Sequence, residues 1–466
     1  MYNFSSITLG VVSTRRDRFP SVENALKNNE KLMVRIHEIL DRLPGVKVVY
    51  AEKVLPGGLI CEPEETNTAL TYFREQKIDA LLMLHANFGQ EEAVGRLCKA
   101  LNVPVLIWGP RDGEKNSDVG FRSCDTQCGM FASTRALLRW GVKFTYAENC
   151  WLDSPILERE IDKFLRAASV VKAFRNMHIL QLSSRPRQFL SVKVNESEMM
   201  EKFGFQLTTV ETTLLEEAFR KVCAEQKEEV ERNVRQYEER FDLSALDPDK
   251  RFNMAAFVLT ILDLVEKYDC TTVACECWNV PRAITGIQGC MAFGILEDMG
   301  ITVSCECDIN GCVTAALARA AARGDSPVFF ADVTVRHPFN DNAELMWHCG
   351  RYPASLSRCA RPRASQYGQM LHELKPGDIT MMRFDGTRGK YYLFADEGRG
   401  VDGPATQGAY VWFEADNWVK WEKKLMYGPY IHHMAGVYGK YRDAVEEACR
   451  YLNVEFDCAD KTVEYE

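Results

Sequence analysis

The chain has 466 residues, too many for a single hydrophobic core, so two to four domains are expected. Its 57 Lys+Arg against 66 Asp+Glu leave a net charge of −9, which argues against nucleic acid or an anionic membrane surface as the main partner. No apolar run approaches the ~20 residues of a membrane span. The N-terminal run ITLGVV is too short for a secretory signal, so the expected location is the cytoplasm.

In chain order, the first 172 residues alternate short β-rich runs (7–13, 46–52, 80–86, 103–109, 143–148) with helical patterns (21–43, 66–76, 90–101, 125–141). Such alternation predicts a Rossmann-like α/β domain with a parallel sheet covered on both faces. A helix over 156–174 leads into a second α/β domain, 173–333, with strands expected at 177–183, 206–212, 271–277, 301–307 and 328–333. One long charged helix, 214–240, interrupts it; the pattern suits a solvated face or an oligomer contact. From 334 to 466 the pattern turns mostly β, with two strands expected around an Asp-Gly turn in GDITMMRFDGTRGKYYLFADEG and a closing helix at 440–452.

Chemistry-bearing residues gather late in the chain. The run ITVSCE ends at Glu306, a Gly-started, Ala-rich helix follows, and VFFADV carries Asp332. Read as one βαβ unit, this places a carboxylate at the C-terminal end of two parallel neighbours, ~4.8 Å apart, where open α/β sheets bind ligands. TTVACEC ends at Glu276 in the same way. His348 follows in MWHCGRYP and the pair His432-His433 in GPYIHHMAG, three of the eight histidines. Two carboxylates with two imidazoles suit a divalent ion of the Mn²⁺ or Co²⁺ type; ordinary loop or core histidines are the alternative.

Seventeen cysteines compete for attention, and CEC occurs at 275–277 and 305–307. An odd total without a signal sequence implies reduced thiols rather than a disulfide framework. Zinc sites usually show C-x₂₋₄-C pairs. The expectation is buried packing thiols, with thiolate zinc or redox chemistry as the alternative.

The stretches GIQGCMAFGILEDMGITVSCECDINGCVTAALARA, FFADVTVRH, WHCGRYP and YIHHMAG resemble, in order and spacing, the L-arabinose isomerase and L-fucose isomerase superfamily. Weaker similarity extends through LLMLHANFGQEEAVGRLCKALNVPVLIWG and VKVNESEMMEKFGFQL. The resemblance implies two Rossmann-like domains and a C-terminal β-rich domain. It also implies an Mn²⁺-dependent enzyme (Co²⁺ or Mg²⁺ serving as alternatives) and a homo-oligomer, usually a hexamer, with the active site between subunits. The implied chemistry is aldose–ketose interconversion of a monosaccharide through a cis-enediol. Glu306 and Asp332 would be the catalytic acid/base pair, Glu306, Asp332, His348 and His433 the metal ligands, and His337 a supporting histidine. His432, Glu276, Gln288, Trp278, Arg16 and Tyr430 are the expected sugar contacts, with Trp418 a further candidate. The chain is shorter than typical members, and SCECDING is not their usual wording, so the sugar itself is left open.

Arg15, Arg16 and Arg18, in STRRDRFP, offer guanidinium forks for a sulfonated or otherwise anionic sugar, with a solvated loop or subunit salt bridges as the alternative. A non-catalytic sugar-binding protein on the same two α/β halves is the reading from another class.

Overall fold

Apolar runs of four to eight residues bounded by polar helical stretches have one stable arrangement, a sheet buried on both faces. The computed structural model describes residues 6–18, 22–113, 115 and 122–465 and shows two compact units. The first comprises Ser5–Lys172 with Arg450–Leu452. Its parallel strands run in the order Val46–Tyr50, Ile7–Thr14, Ala80–His85, Val105–Trp108 and Thr145–Tyr146, with Leu59–Ile60 pairing to the end of Ile7–Thr14. Alternate residues of one strand feed two cores: Leu82 and Leu84 join Ile36 and Phe164, whereas Leu81 and Met83 join Phe73 and Leu97. That two-sided burial is why the strands read as continuous apolar runs.

The second unit holds two sheets. A four-stranded parallel sheet has the order Thr302–Ser304, Thr272–Cys275, His178–Leu182, Gln206–Val210. A nine-stranded sheet closes into a barrel through Ala409–Ala415, Asn340–His348, Phe329–His337, His433–Tyr438, Gly377–Thr387 and Lys390–Val401, the last pairing back onto the first. Closure removes the sheet edges within the ring. The expected class, parallel α/β followed by a β-rich C-terminal part, is the one observed. Among the described residues no helix is long and apolar enough to cross a membrane.

Three local expectations are corrected. The strand carrying Asp332 does not continue the parallel sheet. Phe329–His337 pairs antiparallel with both Asn340–His348 and His433–Tyr438 in the barrel. Its apolar start, VFF, is buried as a central strand of either sheet would be, so the run alone did not name its partner. The expected Asp-Gly turn lies inside a strand. Thr387 pairs with Lys390, and the two-residue turn is Arg388-Gly389, with φ of 50° and 81° as a type I′ turn requires. The long charged helix is two, Thr212–Glu225 and Lys227–Arg240, broken where Gln226 leaves helical geometry and its side chain donates to Asp263.

Candidate active site

The short strand Thr302–Ser304 ends in a tight turn. Glu306 and Cys307 both have positive φ, 56° and 50°. Two consecutive non-glycine residues in that region hold strain of order 1–3 kcal/mol each, which persists only where surroundings impose it. The imposing bonds are Cys307 N–H to Cys275 O (3.1 Å), Asp308 N–H to Cys305 O (3.0 Å) and Ser304 Oγ to Asp308 O (2.8 Å). The small Cys307 thiol fits against Leu182 O (3.4 Å). Asp308 then starts the helix Ile309–Ala322 by accepting from Gly311 N–H (2.9 Å).

The turn aims the Glu306 carboxylate at the barrel. Its Oε1 accepts from Trp278 Nε1 (2.9 Å) and Cys277 Sγ (3.3 Å); its Oε2 is enclosed and unpartnered, 3.8 Å from His433 Nε2. The same nitrogen is 3.4 Å from Asp332 Oδ1, also enclosed and unpartnered, although the Asp332 side chain as a whole keeps 21 % of its surface. Asp332 and His433 face each other across the antiparallel pair of barrel strands. The two carboxylates therefore meet at one imidazole from two different sheets.

Asp308 orients that imidazole. Its Oδ2 accepts from His433 Nδ1 (2.9 Å) and Arg383 Nη1 (2.5 Å), and Arg383 is balanced on its other side by Asp385 (2.7 Å). Burial alone would raise the Asp308 pKa, but the Arg383 guanidinium and His433 hold it well below the ordinary carboxylate range. Burial opposes charge on His433 too, yet the bond from Asp308, with Asp332 and Glu306 beyond, raises its pKa above the usual value. Burial pushes the Asp332 carboxyl up to about 6, Glu306 adding to the rise and His433 opposing it.

Other expected residues fall in varied places. Trp278, 47 % exposed, holds Glu306 and lies 5.9 Å from Phe189, whose ring also meets His432 (5.7 Å) and His433 (5.3 Å). The pKa of His432 is lowered to about 4 by burial and by its neighbour His433. His348 is buried beside Phe330 (6.4 Å), which also touches His433 (5.2 Å). Cys349 N–H donates to His348 Nδ1 (2.9 Å), so the neutral ring carries its proton on the unpartnered Nε2, and burial with Arg351 nearby keeps it neutral.

Glu276 does not reach the cluster. Both its oxygens serve the next turn, accepting from Asn279 N–H (3.0 Å), Val280 N–H (3.0 Å) and Asn279 Nδ2 (3.1 Å). Tyr430 gives its hydroxyl to Asp457 (2.8 Å) in the barrel core, where Trp418 stacks on Trp421. Gln288 is half-buried, its Oε1 3.9 Å from Cys290 Sγ, and His337 packs on Trp412 (4.7 Å). In the first unit Arg15 is committed to Glu65 (2.9 Å) and Asp17; Arg16 lies over the Phe88 ring (3.7 Å) and 3.8 Å from Glu91; Arg18 is exposed.

Among the described residues, three groups bring ligand atoms within 4.8 Å of one another: Asp332 with His432 and His433, Glu306 with Cys277 and Cys305, and Asp17 with Cys61 and Glu62. The first two flank the Glu306–His433–Asp332 gap. The unpartnered Glu306 Oε2 and Asp332 Oδ1, with His433 Nε2 between them, form a two-carboxylate, one-imidazole set that fits a hard divalent cation. All seventeen cysteines are free thiols, and those around Glu306 are largely enclosed.

Sequence reasoning missed Asp308, Arg383 and Phe189. Asp308 carried one signal, an N-cap aspartate opening DING; Arg383, 75 residues on, and Phe189, in a loop, carried none.

Two family models match separate stretches of the chain. Residues 10–175 match the family model for the fucose/sulfoquinovose isomerase N-terminal domain, and residues 342–459 that for the L-fucose isomerase C-terminal domain. Similar proteins include sulfoquinovose isomerases of Priestia aryabhattai and Priestia megaterium, each 25 % identical over 417 residues and covering 86 % of this chain and 90 % of the relative. That of Alkalicoccus urumqiensis is 23 % identical over 336 residues, 70 % of this chain and 73 % of the relative. With both family domains in register and a carboxylate–histidine cluster on the elements between and within them, the chain belongs to the L-fucose isomerase and L-arabinose isomerase superfamily and is an aldose–ketose isomerase.

Proposed function

We propose that the protein is a metal-dependent isomerase that interconverts an aldose and its ketose through a cis-enediol, and that its sugar carries a sulfonate, as the names of its relatives suggest. The observation that carries the metal reading is the convergence of Glu306 Oε2, Asp332 Oδ1 and His433 Nε2, the two oxygens buried without a partner. Two hard oxygens and one imidazole suit Mn²⁺, with Co²⁺ or Mg²⁺ as substitutes, better than a thiolate-selective ion. Bound there, the ion would polarise adjacent carbonyl and hydroxyl oxygens of the sugar and offset charge developing on them.

The chain's own groups do the rest. Glu306 and Asp332 move the proton between C1 and C2 as the acid/base pair. Asp308 keeps the His433 Nδ1 proton in place, so that Nε2 would offer its lone pair to an ion held between the carboxylates. His348, neutral with its proton on Nε2, is a hydrogen-bond donor in this tautomer and stands outside the ligand set. Trp278 and Phe189 supply an apolar wall. The exposed Trp278 leaves one side of the site open, which supports closure by a second subunit in a homo-oligomer.

The test uses metal-loaded protein in D₂O with paired sulfonated and neutral aldoses, followed by NMR. Deuterium at C1 or C2 of the product is the expected result, and Glu306→Gln should lose about 10²–10⁴ of the rate while keeping its fold. A fully active Glu306→Gln would sink the assignment. Saturable sugar binding with no exchange would favour the binding-protein reading.

A further inference from the structure

Resting on the anionic-sugar reading above, we propose that the sulfonate is held by Arg185 and Arg187, with Lys193, in a cavity next to the turn that carries Glu306, and not by the arginines near the N-terminus. The cavity has a volume of about 550 Å³. It lies at the C-terminal end of the parallel strand His178–Leu182, where the sheet geometry exposes strand ends to ligands.

Its walls come from two places. One is the loop between His178–Leu182 and the helix Glu196–Phe203, which supplies Arg185, Arg187 and Lys193. The other is the Glu306 turn, which supplies Cys307 and Ile309. The same loop carries Phe189, whose ring reaches His433 and His432. The cavity and the proposed reaction centre thus share two elements, the turn that carries Glu306 and the loop that carries Phe189, so one sugar is proposed to place its sulfonate in the cavity and its C1–C2 end at the carboxylates.

The charge is uncommitted. Among the described residues none of the three cations forms an ion pair, in contrast to Lys202 nearby, which pairs with Glu198 (2.9 Å), and to Arg15, which pairs with Glu65 (2.9 Å). Arg185 bonds the carbonyl of the following residue, Pro186 (3.3 Å), leaving the rest of its fork open. One carboxylate, the exposed Glu196, also lines the cavity, so three cations face one anion. Unpaired guanidinium groups at a cavity wall match the oxygens of a sulfonate two at a time.

A second feature points to a hydroxylated anion. Gln181 lines the same cavity; its Nε2 donates to Ser183 O (2.9 Å), while its Oε1 is enclosed without a partner. An enclosed acceptor is satisfied by a hydroxyl donor, which sulfate lacks and a sugar sulfonate has.

The experiment compares the metal-loaded wild type with Arg185→Gln, Arg187→Gln and the double variant, on a sulfonated aldose and its unsulfonated counterpart. The expected result is a rise of about 10–100-fold in KM for the sulfonated sugar, with the sulfonated-to-neutral ratio of kcat/KM falling by the same factor. Partial recovery is expected in Arg187→Lys, and the wild-type KM for the sulfonated sugar should increase with salt. An unchanged ratio, or equal loss on both sugars, overturns the assignment. If the wild type isomerises neither sugar, the function reading fails separately, and calorimetry with 2-hydroxyethanesulfonate decides the pocket. Binding lost in the double variant supports it; binding retained there, or absent in the wild type, overturns it.

Discussion

Asp308→Asn removes a charge that two functions share, and its effect follows from four contacts. The side chain is 0 % exposed. Oδ2 accepts from Arg383 Nη1 (2.5 Å) and His433 Nδ1 (2.9 Å), and Oδ1 from Gly311 N–H (2.9 Å) and Arg383 Nη2 (3.3 Å). An amide has one accepting and one donating edge. If its oxygen keeps Arg383 and His433, its NH₂ confronts Gly311 N–H and the helix cap is lost, worth about 1 kcal/mol. Turned over, the NH₂ confronts the guanidinium and the imidazole. Either way Arg383 keeps a single anion, Asp385, and stripping a partner from a buried ion pair costs about 3–5 kcal/mol. Loss of the carboxylate behind a metal-binding histidine weakens metal by about 10–100-fold, or ~1.4–2.8 kcal/mol. Urea unfolding and Mn²⁺ calorimetry near neutral pH measure both. Because the folded pKa of Asp308 is depressed, its stabilisation is present above the unfolded value of about 3.9 and is lost as pH falls through the lower folded value. The gap between wild type and variant should therefore close in acid. An unchanged unfolding midpoint together with unchanged Mn²⁺ affinity would refute the reasoning.

Asp332 has the opposite sign. Its pKa is raised to about 6 by burial, so in metal-free protein its contribution is full below the unfolded value and is lost as pH rises through about 6. Asp332→Asn should therefore unfold at higher urea than wild type in chelator at mildly alkaline pH, yet fail to gain stability from added Mn²⁺. A destabilised metal-free variant would contradict this. For the thiols, burial raises the pKa of Cys275, Cys290, Cys307 and Cys312, so a thiol reagent should label Cys128 and Cys359 quickly in native protein and all seventeen after denaturation. Rapid native labelling of Cys307 would mean that the Glu306 turn opens.

Much of the site was legible because its signals are local. A carboxylate closing an apolar run, a glycine-started Ala-rich helix and a His-His pair between glycines each declare themselves within a few residues, and the two-residue and 3.6-residue periods separate strands from helices without any partner. Glu306, Asp332 and the His432-His433 pair stood out this way, the family resemblance singled out His433, and Glu306, Asp332 and His433 do meet. The sugar contacts were less legible, since Tyr430, Trp418 and Glu276 have residue types that serve a pocket or a core equally well. Burial beside Asp457, Trp421 and the 279–280 backbone settles their place.

By itself, then, the amino-acid order determined most element types, the parallel α/β class and, with the family resemblance, a short set of acids and histidines that includes the three converging on the gap. Tertiary structure decided which sheet each carboxylate comes from. VFFADV would be buried as a central strand of either sheet, and its antiparallel pairing with residues about a hundred positions away follows from barrel closure, which no local period encodes. The bond from Asp308 to Arg383 and the approach of Phe189 to His433 depend on the same closure, because the ring of strands brings Arg383 and His433 up to the Glu306 turn.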